Sequence, residues 1–157
     1  PVYMRFGRLA IPVLFDKNDY RMEIGKGITL ARGKDVTLIA TGIMVSMALE
    51  AKELLKADGI DAGVINIHTI KPLDCELVTK AALETGAIVT CEEHNIIGGL
   101  GSAVCETLSE THPVPVLRVG TEDTFGRSGK VPPLLELYGL TPAHIAAKAK
   151  AAVALKH

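Results

Sequence analysis

Residues 87–102 read Ala87-Ile88-Val89-Thr90-Cys91-Glu92-Glu93-His94-Asn95-Ile96-Ile97-Gly98-Gly99-Leu100-Gly101-Ser102. An apolar run, Ala87 to Cys91, ends in three consecutive ionisable residues. A glycine-rich turn follows, and then a helical pattern. That order reads as a buried parallel strand, a loop at its carboxyl end, and a helix that begins in the glycines. In an open α/β sheet, loops at the carboxyl ends of strands are where ligands and partners meet the fold.

The same alternation extends outward on both sides. Upstream, Ile28 to Arg32 is a short strand, and Val36 to Thr41 is an apolar buried one closed by Gly42. Met44 to Ala57 carries Met44, Met47, Ala48, Ala51, Leu54 and Leu55 at the three-and-four spacing of one buried helix face. Ala62 to His68 is the next strand. Asp74 is placed to cap a helix running to Thr85, which Gly86 ends. Downstream, Leu100 to Glu110 is helical and His112-Pro113 breaks it. Val114 to Val119 is a strand that Pro115 puts at the sheet edge or at a strand start. Gly120 to Pro133 reads as a long polar loop, Leu134 to Tyr138 as a short helix. Thr141-Pro142 opens a last, alanine-rich helix, with Thr at N-cap and Pro at N1. Strands alternating with helices give parallel pairing with right-handed crossovers and helices on both faces. The expected product is an α/β fold, a three-layer α/β/α sandwich of about five strands.

The opening segment is different. Pro1 to Arg8 alternates weakly, like one strand with no partner nearby, and a lone strand is not stable by itself. Residues 9–27 carry Pro12, a charged cluster from Asp16 to Glu23, Gly25 and Gly27, and read as an inter-domain linker or a wrapped arm. The chain opens on Pro1 rather than Met, as a piece of a longer protein would.

The chain has 157 residues, enough for one domain with a full core. Its 48% apolar content and lack of Trp suit helices packed on a parallel sheet. A formal net charge of −1 gives no electrostatic case for nucleic acid or an anionic membrane. No apolar run reaches the length needed to span a bilayer, and no signal peptide is visible. Cys75, Cys91 and Cys105 are odd in number and form no CxxC pair, so they read as buried free thiols of a cytoplasmic protein.

Several residues invite a chemical role. Glu92, Glu93 and His94 join carboxylates to an imidazole, a combination that trades protons near neutral pH. Neighbours on a strand point to opposite faces, so at most two of the three share a pocket. The competing interpretation is a polar strand end whose charges meet a neighbouring subunit or domain. Gly98 to Ser102 resembles a phosphate cradle at a helix start, but lacks the P-loop lysine and the GxGxxG register. A small-anion binding module and plain tight packing both account for it. His68, His94 and His112 have no metal-site spacing. Ser128 sits in Gly-Arg-Ser-Gly, not in a nucleophile elbow. Arg5 and Arg8 offer forked donors to phosphate or carboxylate, or are solvated arginines at a domain edge.

Taken in order, Gly33 to Gly42, Thr69-Ile70-Lys71-Pro72-Leu73-Asp74, Glu92-Glu93-His94 with Gly98 to Ser102, and Asp123-Thr124-Phe125-Gly126 resemble the C-terminal domain of the transketolase family. The resemblance runs over nearly the whole chain and is greatest to the C-terminal subunit of split transketolases. The beta subunit of 2-oxo acid dehydrogenases and 1-deoxyxylulose-5-phosphate synthase share the domain and are the alternatives.

The resemblance implies a mixed five-stranded sheet whose first strand, Ile28 to Arg32, is antiparallel. It implies an enzyme that uses thiamine diphosphate and a divalent metal to move ketol units between sugar phosphates. The cofactor lies between two other domains, so this chain alone is expected to be inactive, with no catalytic, cofactor or metal residues of its own. It divides the chain into residues 1–12, the last strand and edge of a truncated pyrimidine-binding domain; 13–34, a linker and first strand; and 35–157, the C-terminal domain. It places Arg8 where the family grips the substrate phosphate. The expected partners are an N-terminal transketolase subunit and a second copy in a homodimer. Glu92, Glu93, His94, Ile96, Ile97 and Leu100 are the candidates for that interface.

Overall fold

A computed structural model of the chain describes residues 1–7, 10–16, 18 and 20–156. Five strands and five helices follow in the order β1 (Ile28–Ala31), β2 (Val36–Ala40), α1 (Met44–Ala57), β3 (Ala62–Asn66), α2 (Cys75–Thr85), β4 (Ile88–Asn95), α3 (Leu100–Glu110), β5 (Val116–Thr121), α4 (Val131–Leu137) and α5 (Pro142–Ala154). The strands form one sheet in the order β1-β3-β2-β4-β5. β1 runs antiparallel to β3, and all other pairs are parallel. The expected mixed sheet and its antiparallel first strand are therefore present, and β5 is an edge strand.

The period-two alternation of the central strands divides the core. Val36, Leu38 and Ala40 of β2, with Val64 and Val89, face one layer, where Ala48, Ala51 and Leu55 of α1 and Ile145 and Ala149 of α5 cover them. Ile39, Ile65 and Ile88 face the other, under Val78 and Ala82 of α2 and Leu100 and Val104 of α3. The small alanines let both helix layers sit close to the sheet.

Local chemistry sets the joints. Asp74 is the N-cap of α2, where its Oδ1 accepts from Leu77 N (3.2 Å) and its Oδ2 from Gly27 N (3.0 Å). One carboxylate thus starts a helix and ties the arm to the domain. Thr141 caps α5 by accepting from His144 N. The backbones of Gly33 and Gly63 cross so closely that a Cβ on Gly33 would run into Gly63 N.

Five elements differ from the sequence expectation, one of them β5, which spans Val116–Thr121 rather than Val114 to Val119. Residues 1–7 form no strand and are exposed, because an extended segment needs a neighbouring strand for its hydrogen bonds. β3 stops at Asn66, leaving His68 beyond the ladder. β4 continues to Asn95, so Glu92 to His94 lie within the strand. α4 begins at Val131, since prolines in a first turn lack only N–H groups that the helix does not use there. Cys75, expected to be buried, is exposed at the start of α2; Cys91 is buried and Cys105 half-buried.

Candidate functional site

The carboxyl end of the sheet between β4 and β5 gathers most of the residues singled out in the sequence. Glu92 is only 1% exposed. Its Oε2 accepts from Leu100 N and its Oε1 from Gly101 N, both at 2.8 Å. Those are free N–H groups of the first turn of α3, whose N-cap Gly99 has no side chain to satisfy them. A carboxylate there meets both the unpaired donors and the positive end of the helix dipole. A Cβ at Gly99 would collide with Glu92 Oε2, so the glycine is what lets the carboxylate reach the helix.

This decides between the two readings of the turn and corrects one expectation about the interface. The Gly98 to Ser102 turn is not an open anion cradle: the chain's own carboxylate fills it, and Ser102 Oγ accepts from Gly98 N (2.8 Å). Glu92 and Leu100, named as interface candidates, lie inside the chain. Leu100 enters the core between α3 and the sheet, and Glu92 is buried beneath the turn. The other four candidates stay nearer the surface. Glu93 and Ile96 are half-buried, His94 is exposed, and Ile97 is 61% exposed.

Glu92 and His94 come together, as residues two apart on a strand do, with His94 Nδ1 3.9 Å from Glu92 Oε2. The same Nδ1 lies 2.8 Å from Asn95 O. A carbonyl only accepts, so Nδ1 carries the proton. Glu93 is not part of this pair; its backbone carbonyl accepts from Arg5 Nη1 (2.8 Å). Arg8, the expected phosphate ligand, lies outside the described residues.

Asn95 was not singled out in the sequence, yet it organises the edge. Its Oδ1 accepts from Ile97 N (2.8 Å), and its Nδ2 donates to Asp123 Oδ1 (3.0 Å). It therefore fastens the β4 loop to the loop after β5. The Asn-x-x-Gly pattern before a helix was the available signal, because Asn favours such side-chain turns. Arg118 of β5 donates to Ile96 O (3.0 Å), and its stem lies against Gly101. Thr90 Oγ1 is buried below, with no partner among the described residues.

The remaining titratable groups carry little chemistry. Burial, reinforced by the neighbouring charge of Glu92, raises the Cys91 thiol far above its ordinary range. Burial also raises Cys105. His68 Nδ1 pairs with Thr69 Oγ1 (2.9 Å), and burial lowers its pKa. Ser128 lies exposed in the loop after β5. Among the described residues no group of three or more His, Cys, Asp and Glu could hold a metal ion, and no helix is long and apolar enough to cross a membrane. At the α3 start the two donors that an anion would use, Leu100 N and Gly101 N, are taken by Glu92.

The fold and this edge define a three-layer α/β/α domain whose glycine-rich helix start is sealed internally and whose outer loops are presented to solvent. The sequence model of the family described as "Transketolase, C-terminal domain" matches residues 25–145, and the chain belongs to that family. It is 48% identical over 145 residues to the 6-deoxy-6-sulfo-D-fructose transketolase subunit SqwH of Clostridium sp. (strain MSTE9), covering 92% of this chain and 45% of that one. It is 44% identical over 152 residues to 1-deoxy-D-xylulose-5-phosphate synthase of Heliobacterium modesticaldum, covering 96% of this chain and 24% of that one. Among solved structures, "Split gene transketolase, inactive beta4 tetramer" superposes with a TM-score of 0.93 at 50% identity, over 96% of this chain and 49% of that one. The chain thus spans less than half the length of each of these relatives.

Proposed function

We propose that this chain is the C-terminal section of a thiamine-diphosphate-dependent transketolase that transfers ketol units between sugar phosphates in the cytoplasm. The observation that carries the proposal is the family match over most of the chain, joined to relatives more than twice as long, one of them a transketolase subunit. Thiamine diphosphate and the divalent metal would be held by parts of the enzyme beyond these residues, consistent with an α3 start already filled by Glu92. In this reading residues 1–12 belong to the edge of a pyrimidine-binding domain, 13–34 link it to the C-terminal domain, and Arg8 grips the substrate phosphate.

The chain by itself is inactive, and its role is structural: it joins an N-terminal subunit and a second copy of itself. The outer residues at the end of β4 and in the turn after it, Glu93, His94, Ile96 and Ile97, contribute to the contact between copies. A solved structure described as a split gene transketolase, inactive beta4 tetramer, supports inactivity without a partner and association between copies.

The test is reconstitution. Purified chain is mixed with an N-terminal transketolase subunit and assayed for ketol transfer, alone and combined. Activity only in the mixture supports the proposal. Micromolar binding of thiamine diphosphate to the chain alone, or transfer without a partner, overturns it. The likeness to 1-deoxy-D-xylulose-5-phosphate synthase favours a second reading, a section of such a synthase. Formation of 1-deoxy-D-xylulose 5-phosphate without ketol transfer selects it, and oxidation of a 2-oxo acid selects the dehydrogenase beta subunit.

A further inference from the structure

β4 outruns β2, and the N-terminal segment uses a backbone carbonyl that is left over. β2 pairs with β4 as far as Ala40 against Cys91, and Thr41 N donates to Cys91 O (3.1 Å). Gly42, with a φ of 59°, then turns the chain into α1, while β4 runs on to Asn95. Carbonyls along a strand point alternately to its two sides. A Cβ on Gly120 of β5 would lie 3.3 Å from Glu92 O and 2.7 Å from His94 O, so those two lie on the β5 side. Glu93 O, between them, faces the side where β2 has ended. A carbonyl there needs a donor from elsewhere in the chain or from water. Arg5 Nη1 supplies one at 2.8 Å, across 88 residues of sequence.

The contact is to backbone and not to a carboxylate: Arg5 forms no ion pair among the described residues. Residues 1–7 have no strand or helix of their own, so this side chain is what ties them to the sheet. At the other end of the arm Gly27 N is held by Asp74 Oδ2 (3.0 Å). Arg8 follows Arg5 by three residues, and three residues span at most about 10 Å of chain. Whatever holds the Arg5 backbone in place therefore limits where the Arg8 side chain starts from. We propose that Arg5 is a positioning residue of the substrate site: by clasping Glu93 O it fixes the arm against the end of β4 and sets the place from which Arg8 reaches the substrate phosphate. The proposal rests on the role given to Arg8 above. One hydrogen bond to a carbonyl needs a single cationic donor, which Lys also provides, whereas a forked grip on phosphate needs the guanidinium. The two arginines should therefore differ in their tolerance of Lys.

Steady-state kinetics of the assembled two-subunit enzyme decide it, with a phosphorylated acceptor and its dephosphorylated analogue. Arg5→Ala should raise KM for the phosphorylated acceptor about three- to tenfold, the scale of one net hydrogen bond, while kcat and the analogue stay nearly unchanged. Arg5→Lys should bring KM back close to its original value. In an Arg8→Ala background, Arg5→Ala should add nothing further, because the residue it positions is gone. An additive loss, or an Arg5→Lys variant as poor as Arg5→Ala, overturns the proposal in favour of a direct contact between Arg5 and the phosphate. Equal loss on both acceptors, or a fall in kcat alone, overturns it in favour of general damage. No effect of Arg5→Ala where Arg8→Ala does weaken the phosphorylated acceptor overturns the positioning and leaves the role of Arg8 standing. No effect of either removes both.

Discussion

Glu92 Oε2 accepts a hydrogen bond from the backbone N–H of Leu100 at 2.8 Å, across eight residues of chain that include the whole Gly98-Gly99 turn. The strand thereby caps the helix that follows it. Neutralising that carboxylate removes its charge from two hydrogen bonds and from the helix dipole. Glu92→Gln should lower stability by about 1–3 kcal/mol in urea unfolding, the scale of hydrogen bonds to a charged group. Glu92→Ala should cost more, because it leaves two buried N–H groups unpaired. An unchanged midpoint in both variants would mean that the cap contributes nothing.

Two adjacent glycines should respond differently to alanine. A Cβ on Gly99 meets the Glu92 carboxylate and has to displace it, which predicts a loss of about 1–3 kcal/mol from overpacking and a weakened cap. Gly98 has open space but a φ of 78°, so Gly98→Ala should cost about 1–2 kcal/mol from backbone strain alone. The distinguishing measurement is the cycle with Glu92→Gln: Gly99→Ala should be non-additive with it and Gly98→Ala nearly additive.

The three thiols should be modified in a fixed order. Cys75 is exposed and should react first with a maleimide at pH 8. Cys105 is half-buried with its thiolate disfavoured, so it should react more slowly. Cys91 should react only on unfolding. Mass spectrometry of timed samples checks the order, and early modification of Cys91 would contradict the packing of β4.

His68 gives the pH dependence a sign. Burial lowers its folded pKa below the unfolded value of 6.5, so the unfolded chain binds the proton more readily. The stability it contributes is present above that unfolded value and is lost as pH falls through the folded pKa. A proton NMR titration of the histidine ring signals should place His68 below the ordinary histidine range, and a normal value would remove the effect.

In the assembled enzyme, Arg8→Ala should weaken use of a phosphorylated acceptor by about 2–4 kcal/mol in kcat/KM, the scale of breaking a charged hydrogen-bonded pair. An unphosphorylated analogue should be nearly unaffected. Equal loss on both, or on neither, would make Arg8 a domain-edge arginine.

The element order, the sheet class and nearly all the helices were legible in the sequence. α1 and α3 have the expected limits, and the caps at Asp74 and Thr141 are where their residue types belong. These are local matters: periodicity, capping and turn chemistry act over a few neighbouring residues. The resemblance to transketolase C-terminal domains was legible too, because it is carried by short motifs in a fixed order.

The partner of each polar group was not legible, because pairing across the chain depends on how the elements pack. Sequence shows Glu92 as one of three ionisable neighbours; burial of that strand end against the start of α3 makes it a cap rather than an acid, base or interface charge. Leu100 looked like part of an apolar loop seeking a partner, and the first turn of α3 carries it into the core. Asn95 reaches Asp123 only because β4 and β5 lie side by side. Local propensity determined which segments became strands and helices, whereas the sheet order, by joining β4 and β5 at one edge, decided which side chains meet and therefore what they can do.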